Sequence, residues 1–279
     1  MIDRYLKLSP NQVSRFNRDG FVHPIDVMTP EQAYELCRRF ELAQAKFPDE
    51  LSPFNRNNAH LSFTCVDEIV HHDGIVDAVS DLLGENVLAT GTVLFVKEPR
   101  SDGFVSWHQD FTYMGFEPHD GVSAWLALTP STVETGCMRM IPGSHLMGQL
   151  PHRDSNDDDN ILSRGQSVEN VDVCQSVAVE LLPGQMSLHH PRVVHGSEPN
   201  RSDQRRIGIV VQAYIPPHVR QVSCESFATL VRGQDVDSTY ELLPRPHEDM
   251  LPQSVELRRR VNTAREAVLY EGTDQTRQR

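Results

Sequence analysis

The residues of this chain with the clearest chemical potential are the run Trp107-His108-Gln109-Asp110, His195 far downstream, and Arg206 eleven positions after that histidine. Two imidazoles and one carboxylate can hold one face of a divalent iron and leave the opposite face open for an oxidant and a cosubstrate. Three protein ligands with an open position also suit a hydrolytic zinc. A guanidinium beside such a site can grip a carboxylate through two parallel hydrogen bonds, so a metal at one end and Arg206 at the other suit a dicarboxylate.

A histidine and an aspartate two apart are common as surface or turn residues, and spacing has to add something. On a strand, residues i and i+2 point to the same side, which predicts that His108 and Asp110 converge on one metal. The third ligand then has to be returned by the tertiary fold. His189 and His190 compete with His195 for that role, and on a strand they alternate faces, which places one of them behind the ligands, able to orient one. His195 opens the turn-rich stretch Gly196-Ser197-Glu198-Pro199-Asn200-Arg201-Ser202-Asp203, followed by the β-branched run from Arg205 to Ile215. That pattern predicts strand, turn, strand, a hairpin that sets Arg206 near His195. His145, in Pro142-Gly143-Ser144-His145, reads as a turn residue.

The elements that position these groups run from helices to strands. Ser9-Pro10 and Thr29-Pro30-Glu31-Gln32 are helix starts, with Gly20 a stop, and predict helices from Pro10 to Asp19 and from Pro30 towards Lys46. A third helix is expected before Gly84. Strands are expected over Val87 to Val96, Val122 to Leu128, Cys137 to Ile141, Val177 to Leu181, Gln185 to His190 and Arg206 to Tyr214. The fold class is mainly β with flanking helices, a double-stranded β-helix or cupin-like jelly roll. One domain over 1–279 is expected, with a mainly helical part at 1–86, a jelly-roll core at 87–220 and a C-terminal extension at 221–279.

Composition removes several function classes. The formal charge is −13, and Arg258-Arg259-Arg260 is the only modest basic cluster, so no nucleic-acid partner is expected. Five scattered cysteines without a Cys-x-x-Cys pair argue against a disulfide framework or a zinc knuckle. The start, Met1 to Lys7, has no apolar stretch of signal-peptide length, and no apolar run reaches the length of a membrane span. A soluble cytoplasmic monomer or homodimer acting on a small molecule is expected. The acidic loop Arg153 to Asn160 lacks the spacing of a calcium loop and reads as a solvated lid; the tail from Gly272 to Arg279 reads as frayed.

Over nearly all its length the chain resembles the phytanoyl-CoA dioxygenase family of Fe(II)/2-oxoglutarate oxygenases. The matching residues are Gly20-Phe21-Val22, Phe95-Val96-Lys97-Glu98-Pro99, Trp107-His108-Gln109-Asp110, Trp125-Leu126-Ala127-Leu128, Gly136 through His145, and His195-Gly196-Ser197 through Arg206-Ile207-Gly208. The resemblance implies that His108, Asp110 and His195 hold Fe(II), that Arg206 binds the far carboxylate of 2-oxoglutarate, and that Ser197 and Trp125 support it. Lys97 is a candidate cosubstrate contact near the barrel mouth, with a structural ion pair as the competing reading, and Trp125 reads equally as core. The chain is also similar to non-haem halogenases, in which a small residue replaces the ligating aspartate to admit chloride. Asp110 is retained here, so the resemblance implies hydroxylation of a C–H bond by O₂, with succinate and CO₂ as coproducts.

For the substrate, Phe104, Phe111, Tyr113, Met114 and Phe116 flank the metal motif and suggest an apolar pocket, with core packing as the plainer reading for several. His60 is a further candidate contact, although a structural role is at least as common for such a residue. Arg232 could pair with an anionic substrate group or form an internal salt bridge. An amino acid, an amine or a natural-product intermediate fits the acidic charge better than a polyanion. A tailoring oxygenase that desaturates, cyclises or rearranges, and a non-catalytic jelly-roll binding module, are the alternatives.

Overall fold

The computed structural model describes residues 7–155 and 157–270. Residues 1–6, Asn156 of the acidic loop and residues 271–279, which include the tail from Gly272, lie outside the described residues. In chain order, α1 (Pro10–Asp19), β1 (Phe21–Asp26), α2 (Pro30–Lys46), α3 (Thr64–Val70) and α4 (Asp73–Leu83) come first. Then follow β2 (Val87–Ala89), β3 (Thr92–Lys97), β4 (Val105–His108), β5 (Phe116–Glu117), β6 (Val122–Ala127) and β7 (Met138–Met140). The ribbon β8 (His152–Arg153) and β9 (Ser167–Val168) precedes β10 (Val177–Val179), β11 (Gln185–His189), β12 (His195–Ser197) and β13 (Arg206–Ile215). Last are β14 (Arg220–Gln221), β15 (Phe227–Arg232), β16 (Glu241–Leu242) and α5 (Pro252–Leu269). No helix among the described residues is long and apolar enough to cross a membrane.

The first two helices begin and end where local chemistry says they must. Ser9 and Thr29 each close a full capping box with the glutamine three residues on, satisfying N–H groups that the first turn leaves without a partner. Gly20 ends α1 in the left-handed region, at φ 83°. The expected strand over 87–96 is two strands instead. Gly91 interrupts it because the chain passes so close to the Asn58 carboxamide that a side chain there would strike it.

Strands pair into a large sheet in the order β1-β11-β6-β13-β2-β15-β16, with β3 also on β13, and a small sheet β10-β7-β12-β4. Strand content therefore extends beyond 87–220, with β1 at one edge of the large sheet and β15 towards the other. Alternation along β13 decides what faces where. Ile207, Ile209 and Val211 join Leu36, Phe40, Ile69 and Val79 in the core beneath the helices. Each such buried aliphatic or aromatic side chain contributes about 1.5–3 kcal/mol. On the opposite face Trp125 and Val210 meet Met138, Met140 and Val179 of the small sheet, so the two sheets stack as a jelly roll.

His60 belongs to this framework. It is 2% exposed, and its Nδ1 lies 3.0 Å from the Thr92 hydroxyl. Burial pushes its imidazole from 6.5 down to about 3. The unfolded chain therefore takes up a proton on this ring near pH 6.5 while the folded protein does not, and the stability present above that pH is lost progressively as pH falls towards 3. At pH 5 the loss from this one ring is on the order of 2 kcal/mol. Urea unfolding at pH 7 and pH 5 should show a shallower pH dependence in His60→Gln than in the parent.

Candidate active site

β12 lies between β7 and β4 in the small sheet, with His195 directly opposite His108 and the two ring centroids 4.2 Å apart. Asp110 does not share a strand with His108. β4 ends at His108, and Asp110 opens a short 3-10 turn, residues Asp110–Tyr113. The side-by-side convergence expected from strand spacing is replaced by a turn, held by the Asp110 N–H donating to Pro191 O at 2.8 Å. Gln109, fully buried, anchors that turn from behind: its amide donates to Gly148 O and Arg192 O and accepts from Leu150 N. Nothing in the sequence pattern marks Gln109 beyond its place inside the motif.

The proton positions on the two histidines follow from their neighbours. His108 Nδ1 sits 2.9 Å from Ser106 O, and His195 Nδ1 sits 2.9 Å from Val193 O. A carbonyl only accepts, so each Nδ1 carries the hydrogen and each Nε2 presents a lone pair. Both lone pairs face Asp110 Oδ1, at 3.5 Å from His108 and 3.8 Å from His195. Three acceptors thus converge with ligand atoms within 4.8 Å of one another, an arrangement that can hold a cation among them. Burial, then the neighbouring His108, pushes His195 down to about 3. Burial alone would raise Asp110, but His195, His108 and His189 outweigh it and hold the carboxyl well below the ordinary range. At neutral pH Asp110 is therefore ionised and the His195 ring uncharged.

Arg206 and His195 are not partners in a hairpin. His195 belongs to the small sheet and Arg206 to the large one, so the loop between them crosses from one sheet to the other, and both side chains line the same cleft. Arg206 is 1% exposed; one Nη donates to Gly136 O, while Nε is buried without a partner. Its guanidinium lies 5.3 Å from the Trp125 ring centroid. Lys97 is not at the mouth but buried opposite Arg206 on β3, with Nζ donating to Ser197 Oγ at 2.8 Å and to Glu198 O. Burial, then the Arg206 charge, pushes it down to about 6, and it steadies Ser197 instead of lining the cleft.

Gly208 sits where a side chain would enter the Trp125 ring. Gly208→Ala must therefore displace Trp125 from beside Arg206, at a cost of about 1–3 kcal/mol. The expected outcome is a lower melting temperature and weaker 2-oxoglutarate binding, read by thermal unfolding and cosubstrate titration.

Of the proposed substrate contacts, Tyr113 and Phe116 line the cleft, as does Met114. Phe111 is buried in a side core with Phe116 and Leu88, and Phe104 forms a backbone bridge to Asn160; neither lines the cleft. His60 serves Thr92, as above. Arg232 pairs with Asp77 at 2.7 Å and bonds Ser80, and does not line the cleft. Residues that pattern reading missed complete the wall: Arg56 and Phe95, Leu162 and Gln166 just beyond the acidic loop, and Val261, Ala264 and Val268 from α5. The loop itself is tied down by Asp154 to Arg164 at 2.9 Å and by Asn160 to Ser106 at 3.0 Å. The cleft is partly open to solvent.

The profile of the phytanoyl-CoA dioxygenase (PhyH) family matches residues 16–208. Among curated proteins, a probable alpha-ketoglutarate-dependent hypophosphite dioxygenase of Stutzerimonas stutzeri is 32% identical over 53% of this chain and 52% of its own length. A probable phytanoyl-CoA dioxygenase of Caenorhabditis elegans is 28% identical over 66% of this chain and 61% of its own. The chain thus spans between half and two thirds of these relatives. Among solved structures, the non-heme monooxygenase ThoJ superposes with a TM-score of 0.82 at 32% identity, covering 92% of this chain and 97% of ThoJ. CytC3 with Fe(II) and alpha-ketoglutarate shares the fold, with a TM-score of 0.61 at 23% identity over 85% of this chain and 93% of CytC3. A carboxylate between two singly protonated imidazoles, a buried arginine across the cleft and a family match from Phe16 to Gly208 agree, and this chain belongs to the phytanoyl-CoA dioxygenase family of Fe(II)/2-oxoglutarate-dependent oxygenases.

Proposed function

We propose that His108, Asp110 and His195 hold Fe(II), that Arg206 holds the distal carboxylate of 2-oxoglutarate with Ser197 and Trp125 beside it, and that the chain, working as one catalytic unit, hydroxylates a C–H bond of a small organic molecule. The observation that carries the reading is the pair of groups facing one cleft: three acceptors converging with the spacing of a metal site, and a buried Arg206 Nε without an acceptor. When bound, the metal would activate O₂ as the oxidant, with 2-oxoglutarate giving up two electrons as it loses CO₂ to become succinate and the substrate C–H bond giving up the other two.

The protein's own share is position and exclusion. Ser106 and Val193 carbonyls fix the imidazoles so that Nε2 faces inward, and the Pro191 carbonyl and Gln109 fix the turn that presents Asp110. Arg206, itself buried, offers a charged donor, and such a bond is strong. Lys97 holds the Ser197 hydroxyl in place. Tyr113, Phe116, Phe95 and the apolar face of α5 form a wall that orients an organic substrate. That wall is larger and more apolar than an inorganic anion such as hypophosphite needs, which favours an amino acid, an amine or a natural-product intermediate.

A screen of such compounds with Fe(II), 2-oxoglutarate and O₂, scored by succinate release and product mass, tests the proposal. A product one oxygen atom heavier than its substrate supports hydroxylation. Succinate release with a product that has lost two hydrogens, or is an isomer of the substrate, replaces it with desaturation or rearrangement.

A further inference from the structure

The second carboxylate oxygen of Asp110 has surroundings of its own. His189 on β11 and Ser123 on β6 are direct cross-strand partners in the large sheet, so their side chains project to the same side. Both reach Asp110 Oδ2: the Ser123 hydroxyl lies 3.0 Å from it and His189 Nε2 lies 3.4 Å from it. Ser123 has one proton and two claimants, and the Gln212 carbonyl, at 2.5 Å, is nearer than the carboxylate. The Ser123 hydroxyl is shared between Gln212 O and Oδ2, and the His189 imidazole is the second group that can offer Oδ2 a hydrogen. His189 is 1% exposed, and its Nδ1 is buried without a partner, as it would be with the ring's one hydrogen on Nε2.

We infer that His189 is a positioning residue for the metal site: it donates from Nε2 to Asp110 Oδ2, and by occupying that oxygen restricts Asp110 to single-oxygen ligation through Oδ1. The inference rests on the reading of Asp110 as a ligand. Its consequence is electronic and geometric. A carboxylate held at Oδ2 cannot swing both oxygens onto the metal, so one more position on the open face stays available to cosubstrate and O₂. Such outer partners typically change metal affinity by about 10–100-fold.

Anaerobic Fe(II) titration and the visible spectrum of the Co(II)-loaded protein test this in the full chain. His189→Phe keeps the ring's bulk and removes the donor, and should weaken Fe(II) binding by about tenfold or more. It should also weaken the Co(II) absorption, because a second carboxylate oxygen raises the coordination number. His189→Gln, which restores an N–H, should recover most of both, and Ser123→Ala should cost less than His189→Phe, since the hydroxyl's one proton is shared with Gln212. If His189→Phe does not fold, His189→Asn, whose amide stops short of Oδ2, is read in the same way. Parental affinity and an unchanged Co(II) spectrum in the donor-free variant overturn the inference, as does a loss in Ser123→Ala larger than that in His189→Phe. Complete loss of binding in both His189→Phe and His189→Gln, equal to that of His195→Ala, overturns it in favour of direct ligation. Failure of the parent protein to bind Fe(II) or Co(II) would instead overturn the metal-site reading beneath it.

Discussion

His195→Ala is expected to lose metal-dependent turnover by at least about a thousandfold, since a correctly held metal supplies several kcal/mol of charge stabilisation to the reaction. The loss is expected without unfolding. β12 is held on both sides, by β4 and β7, through backbone pairing that the alanine leaves intact. His108→Ala should behave alike. Asp110→Ala is more revealing, because it removes the only negative charge in the ligand set and strands the donors that face Oδ2. Steady-state assays of succinate release, with thermal unfolding as the control for folding, check all three. Full activity in Asp110→Ala would make the triad assignment wrong.

Arg206→Ala has the second largest expected effect, and a different signature. The guanidinium is buried between Trp125 and the Gly136 carbonyl, so its loss removes a charge-assisted contact that no surface residue can replace. Truncating one partner of a buried charged pair costs about 2–5 kcal/mol. KM for 2-oxoglutarate should therefore rise by about 30-fold to several thousandfold, while Fe(II) affinity, which depends on the other sheet, changes little. Arg206→Lys should not restore it, because an ammonium lacks the planar fork. An unchanged KM for 2-oxoglutarate would remove Arg206 from the cosubstrate site.

How much of this was legible in the sequence depended on whether the cause was local. Helix starts at Ser9 and Thr29 are written in four residues each, and the structure begins α1 and α2 there. Alternation in Arg206-Ile207-Gly208-Ile209-Val210 separates cleft from core directly, because a strand has a period of two. Asp110 was found through its motif but for an incorrect geometric reason: the turn that carries it depends on Pro191 and Gln109, contacts no spacing reveals. His189 could be recognised as lying near a ligand, but not that it faces Oδ2, since that follows from its register with Ser123.

α5 was the largest omission. Its inward anchor is Arg258, 2% exposed and bonded to the carbonyls of Glu50, Asn55 and Asn57, so a helix that closes one wall of the cleft carries no broad apolar stripe to announce it. The neighbouring Arg259 and Arg260 are paired with Glu256 and with Glu225 and Glu241, which explains why the one basic cluster forms no basic surface. For Arg232 and His60, where residue type alone left a structural and a substrate role open, the structure records contacts to Asp77 and to Thr92.

The most direct test is anaerobic titration of the metal-free protein with Fe(II) and then 2-oxoglutarate, followed by visible absorption. The assignment predicts a weak charge-transfer band that saturates at one equivalent of each, disappears in His195→Ala and needs a large excess of 2-oxoglutarate in Arg206→Ala. A folded protein that gives no band with both present would contradict it.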